Sequence, residues 1–215
     1  MCFFVTVARC WPCLRKTVAA DAARNPGLHS DPLLRNGERV NPAEQLCLAC
    51  GMCCDGTLFD GVQLQAGDDA KKLKALGLPV SVSRAKTPIA RFPQPCSALC
   101  ANRTCRVYVD RPAQCRVFEC GVLKQAQSAR ITFAAAMRVV KKARKKADNV
   151  RHLLHKLGDT EVHRSLGERF FRMQCRMEEE STDAATRDAF ADLSLAVHQL
   201  KLLSHERFYT RPEAK

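Results

Sequence analysis

The chain has 215 residues, 27% of them charged and 46% hydrophobic, with a formal net charge of +13. That length holds one sizeable domain or two small ones, and no stretch approaches the roughly 20 apolar residues of a helical membrane span. The excess positive charge permits an acidic partner, nucleic acid or an anionic membrane surface, without requiring one.

Thirteen cysteines are the strongest compositional signal. So many thiols suit either a disulfide scaffold in an oxidising compartment or metal sites in a reducing one. The N-terminal run from Met1 to Cys10 has no basic residue ahead of a short apolar stretch, and Arg9 stands where a lipoprotein signal needs a small residue. This reads as a cytoplasmic chain with reduced or metal-bound cysteines.

Residues 1–43 are expected to be a variable N-terminal segment and linker. Cys10-Trp11-Pro12-Cys13 follows an apolar run, the local setting of a redox Cys-x-x-Cys. A thioredoxin-like fold needs a strand–helix–strand pattern next. Pro26, Gly27, Pro32, Gly37 and Pro42 instead mark residues 25–43 as loop.

Residues 44–120 hold nine of the thirteen cysteines. The first group is Cys47, Cys50, Cys53 and Cys54; the second is Cys96, Cys100 and Cys105; the third is Cys115 and Cys120. A Cys-x-x-Cys step in a tight turn aims two sulfurs at one point, and Gly51 offers the positive φ such a turn favours. Cys53 and Cys54 are adjacent, and neighbouring side chains diverge, so the two fit poorly on one tetrahedral ion. The cysteines therefore suit either two four-thiolate sites or one cluster with spare thiols. Between the groups, residues 59–64 read as a short strand. Asp68 reads as the cap of a helix through Leu76, closed by Gly77 and Pro79. Arg111-Pro112 marks a turn before Cys115.

Residues 121–215 form a basic helical region with a single cysteine, Cys175, which reads as a small core residue. Phe133, Met137, Val140, Ala147, Val150, Leu154 and Leu157 make one helical stripe, stopped by Gly158. Asp159 can cap the next helix, with Val162, Leu166, Phe170, Met173 and Met177 on its apolar face. Ser181 or Thr182 can cap a third, carrying Phe190, Leu193, Val197, Leu200 and Leu203. Short turns between them suggest a small antiparallel bundle. Residues 138–156 carry eight cations against one carboxylate, Asp148. Most of these charges lie on a solvated face; Arg138, Lys141, Lys142, Lys145 and Lys146 are the residues an acidic partner or nucleic acid would meet. His152 and His155 lie three apart but have no sequence-positioned partner, and read as surface histidines.

The order Cys-x-x-Cys-x-x-Cys-Cys, Pro-Cys, Cys-Arg-Val-Tyr, Asp-Arg-Pro, Cys-Arg-x-Phe over residues 47–120 resembles the YkgJ-type cysteine-cluster family, described as zinc- or iron-chelating domains. The resemblance implies the metal ligands Cys47, Cys50, Cys53, Cys54, Cys96, Cys105, Cys115 and Cys120, with Cys100 an extra. It implies zinc or an iron–sulfur cluster without deciding between them.

The expected architecture is α-rich and irregular: a small cysteine-rich, metal-stabilised module packed on a C-terminal helical bundle. The expected function is metal binding. The alternatives are an iron–sulfur redox enzyme or electron carrier, and a zinc-stabilised nucleic-acid-binding protein using the basic helix. No catalytic residues are expected, and the oligomeric state is left open.

Overall fold

The computed structural model describes residues 34–35, 38–39, 42–84, 88–179 and 182–209. The Cys10–Cys13 motif, Ser181 and most of the N-terminal segment lie outside them. The first described elements are two short antiparallel strands, β1 (Leu34–Arg35) and β2 (Glu38–Arg39). Helix α1 (Pro42–Cys50) follows, beginning inside the stretch expected to be loop. Pro42 supplies a preset helical φ at the first position, where a missing N–H costs nothing.

A three-stranded antiparallel sheet comes next, in the order β3 (Gly61–Gln63), β5 (Ala90–Pro93), β4 (Ser81–Val82). Val62 pairs with Phe92. Both side chains face a small core with Leu73 from α2 (Ala70–Ala75) and with Leu78, Val80, Ala98 and Val107. The strand read over residues 59–64 is β3, two residues shorter at the N-terminal end and one at the C-terminal end. Strands β4 and β5 were not foreseen. The α2 cap is Asp69, which accepts from Lys72 N–H at 2.9 Å, rather than Asp68. Asp68 instead accepts from the backbone of Gln65 and Ala113 at 2.8 Å each, tying this sheet lobe to α3 (Ala113–Val117).

Helix α4 (Gly121–Gln127) leads to α5 (Phe133–Lys156), whose cap Thr132 accepts from Ala135 N–H at 3.2 Å. At about 1.5 Å per residue, α5 is long enough to serve two cores. Its first half gives Ala136, Val140 and Ala143 to a core with Leu46 and Cys50 of α1, Met52, Leu58, Val122 and Leu123 of α4, and Phe208. Its second half gives Ala147, Val150 and Leu154 to a core with α6 (Leu166–Glu179) and α7 (Ala184–Arg207). The predicted stripe included Ala147 but missed Ala136 and Ala143: small residues at these two positions let α1 and α4 approach closely, while Phe133 stands at the exposed edge.

Two further caps differ from expectation. Asp159 does not cap α6. It is buried with Arg169, Oδ2 lying 2.6 Å from Nη2, and Ser165 Oγ accepts from Glu168 N–H at 3.2 Å in its place. Val162 lies ahead of α6 and is 68% exposed. Helix α7 is capped by Asp183, which accepts from Thr186 N–H at 2.8 Å, one residue beyond Thr182. The charged pair explains the first miss, since a carboxylate buried with an arginine is held by that partner.

The end of α7 returns to the cysteine region. Gly121 N–H donates to Phe208 O at 2.9 Å, and Tyr209 Oη donates to Leu58 O at 2.6 Å. A Cβ on Gly121 would lie 2.6 Å from Arg207 O. Gly121→Ala must therefore push the two backbones apart. It is expected to cost about 1–3 kcal/mol, read as a lowered denaturation midpoint. An unchanged midpoint would show that the backbones do not meet there.

Candidate metal centre

Cys47 and Cys50 lie three apart on the last turn of α1, hence on one face. The first Cys-x-x-Cys step is therefore a helix end rather than the tight turn expected from sequence. The turn falls at Gly51, with φ at +66°, and both Cys54 and Asp55 donate their N–H to Gly51 O at 3.0 Å. Arg103 holds this loop from across the chain: its Nη1 donates to Cys50 O at 2.7 Å and meets Asp55 Oδ2 at 3.3 Å. From α5, Arg151 Nη2 reaches the same Asp55 carboxylate at 3.1 Å, and Arg144 Nη1 donates to Ala49 O at 3.0 Å.

Cys96 follows the end of β5, and its N–H donates to Cys54 O at 2.7 Å. An isolated antiparallel bridge between Leu99 and Cys105 brings the next thiol round. Cys115 stands on α3, which starts after the predicted turn at Pro112. Cys120 is the N-cap of α4, its Sγ accepting from Leu123 N–H at 3.4 Å.

Cys47, Cys50, Cys53, Cys54, Cys96, Cys105, Cys115 and Cys120 all line one cavity of about 410 Å³. Cys100 and Cys175 do not line it. None of the described cysteines is in a disulfide. Backbone N–H groups face several sulfurs: Met52 toward Cys50, Ala98 and Leu99 toward Cys96, and Val122 and Leu123 toward Cys120. Such bonds favour the thiolate and orient it.

Burial acts the other way and wins. It pushes the Cys50, Cys54 and Cys115 thiols from an ordinary 9.0 up to about 12, and Cys53 well above its ordinary value. Burial raises Cys96 and Cys120 as well. At neutral pH these groups are protonated thiols. Among the described residues, no three His, Cys, Asp or Glu side chains converge, as placed, in a way that holds an ion. Closing on a cation takes ionisation and rotation of the thiols.

The donor set fits a soft or borderline metal. Eight sulfurs and one carboxylate residue, Glu119, line the cavity, and no histidine does. Thiolates of this kind select zinc or iron–sulfur clusters over magnesium or calcium. Gln94 lines the cavity at 2% exposure, and its Oε1 has no hydrogen-bond partner, leaving an acceptor for a donor within the cavity.

Sequence reasoning passed over the arginines. Arg103, Arg111 and Arg116 also line the cavity; Arg111 lowers the Cys115 thiol and Arg106 lowers Cys96. A divalent ion on four thiolates carries a net charge of about −2, which these cations offset. The available signal was position: Cys105-Arg106 and Cys115-Arg116 place a cation directly after a thiol.

No curated protein and no solved structure matches the chain. Residues 46–144 match the CxxCxxCC family model, a "Putative zinc- or iron-chelating domain", so that this stretch, which holds all eight cavity cysteines, is similar to the domain of that family.

Proposed function

We propose that this chain is a cytoplasmic metal-binding protein that holds zinc or iron through the eight cavity cysteines, the metal fastening the sheet lobe to the helical frame. The observation that carries this reading is the selective gathering of thiols. Eight of the ten described cysteines face one cavity, although they come from five separate stretches of chain. Packing alone gives no reason for that, because a buried thiol is satisfied by any apolar neighbour. Metal ligation does, since each ligand must reach a common point.

The test is zinc binding by the reduced full-length chain, compared across cysteine-to-serine variants. Cys115→Ser is expected to lower the zinc retained after gel filtration. Cys100→Ser and Cys175→Ser are expected to leave it unchanged. Equal losses from all three would contradict the reading.

A second reading, an acidic or nucleic-acid partner, is supported by five exposed cations on α5, Arg138, Lys141, Lys142, Lys145 and Lys156. Two arginines of the same helix, Arg144 and Arg151, are engaged with the cysteine loop. Lys146 meets Gln199 at 2.8 Å. Binding on the remaining face would weaken steeply with added salt. Salt-independent binding, or none at low salt, would remove this reading.

A further inference from the structure

We propose that the eight cavity cysteines form two separate four-thiolate sites, divided at the Cys53–Cys54 peptide bond: Cys47, Cys50, Cys53 and Cys120 in one, Cys54, Cys96, Cys105 and Cys115 in the other. The inference rests on the reading that the cluster binds metal, and it assigns which thiols act together.

The division follows the packing. Cys50 is part of the core shared by α1, α4 and α5, and Cys53 and Cys120 pack against that same core. Cys96, Cys105 and Cys115 pack against the other one, beneath the three-stranded sheet. The backbone divides the same way. Cys54 is joined to Cys96 by the 2.7 Å bond from Cys96 N–H, and Cys105 is brought in by its bridge to Leu99. Cys47 and Cys50 end α1, which packs on α4, the helix that Cys120 caps.

Adjacent residues have Cα atoms about 3.8 Å apart and side chains that diverge, so one peptide bond can serve two sites where it could not serve one. Four thiolates complete a tetrahedral zinc site, and four also complete an iron–sulfur cluster, so the partition holds for either occupant.

The test loads the reduced full-length chain with zinc, counts the metal, and maps protected thiols by alkylation and mass spectrometry. The wild type is expected to hold two zinc ions and to protect all eight thiols. Cys47→Ser is expected to keep half the zinc and to protect Cys54, Cys96, Cys105 and Cys115. Cys96→Ser is expected to keep half and to protect Cys47, Cys50, Cys53 and Cys120. If either variant fails to fold, partial chelation of the wild type substitutes for it, and half-loaded molecules are expected to protect one set of four or the other. Protection that mixes the sets, or a single zinc per wild-type chain, would overturn the partition while leaving metal binding intact. A wild-type chain that retains no zinc would overturn the metal-binding reading itself.

Discussion

Stripping the metal with a chelator is expected to melt the sheet lobe and the cysteine loop while the core between α5, α6 and α7 stays folded. The sheet lobe is held by strands of two to four residues over a core of seven buried residues, too little to be stable alone. A structural zinc contributes about 10–16 kcal/mol of apparent binding free energy, as much as the whole net stability of a typical domain. The other core, built on Leu154, Leu166, Met173, Leu193 and Leu200, contains no cavity cysteine. Both tyrosines of the chain report on the change. Tyr108 lines the cavity, and Tyr209 packs edge-on against Phe59, itself a cavity residue. Near-ultraviolet circular dichroism should collapse on chelation while most of the far-ultraviolet helical signal persists. Amide exchange should accelerate at Val62 and Phe92 but not at Leu154 or Leu193. An unchanged near-ultraviolet spectrum would show that metal does not hold the lobe.

Metal binding should release protons in proportion to the thiols it engages. With Cys50, Cys54 and Cys115 pushed up to about 12, first by burial, the metal-free cavity is protonated at pH 7. Each thiol three pH units above its ordinary value costs about 4 kcal/mol more to ionise in the folded chain than an ordinary thiol does. A four-thiolate site therefore releases about four protons per ion, and its apparent affinity rises up to about 10⁴-fold per pH unit near neutrality. Calorimetry of zinc binding in buffers of different ionisation enthalpy measures the proton count. A count of one or fewer per ion would mean that the ligands are already ionised or are not these thiols.

The long helices were legible because their burial repeats along a single segment. Val140, Val150 and Leu154 announce the buried face of α5 from sequence, and Leu193, Val197 and Leu200 that of α7. The caps were less legible where two acidic residues compete. Asp68 and Asp69 are adjacent candidates in sequence, and it is the bonds from Gln65 N–H and the distant Ala113 N–H that engage Asp68 and leave Asp69 to cap α2. Asp159 was drawn into a buried pair by Arg169, a tertiary choice that local capping rules do not contain. Strands of two residues, such as Ser81–Val82, carry too short an alternation to be read. Within the site, the cysteines were conspicuous by chemistry. Their partition was not, because it depends on α4 packing on α1 and on Cys96 meeting Cys54 across the chain. The family match runs to residue 144, past the composition change at Gly121, and Ala143 is the last α5 residue in the core that carries Cys50.

The most direct test of the central claim is the metal content and visible spectrum of the full-length chain purified without oxygen. Zinc or iron in stoichiometric amount is the predicted result. A colourless protein would carry zinc, and a brown one with a broad band near about 400 nm would carry an iron–sulfur cluster. A folded, colourless chain with neither metal, and with its cavity thiols all open to alkylation, would contradict the account.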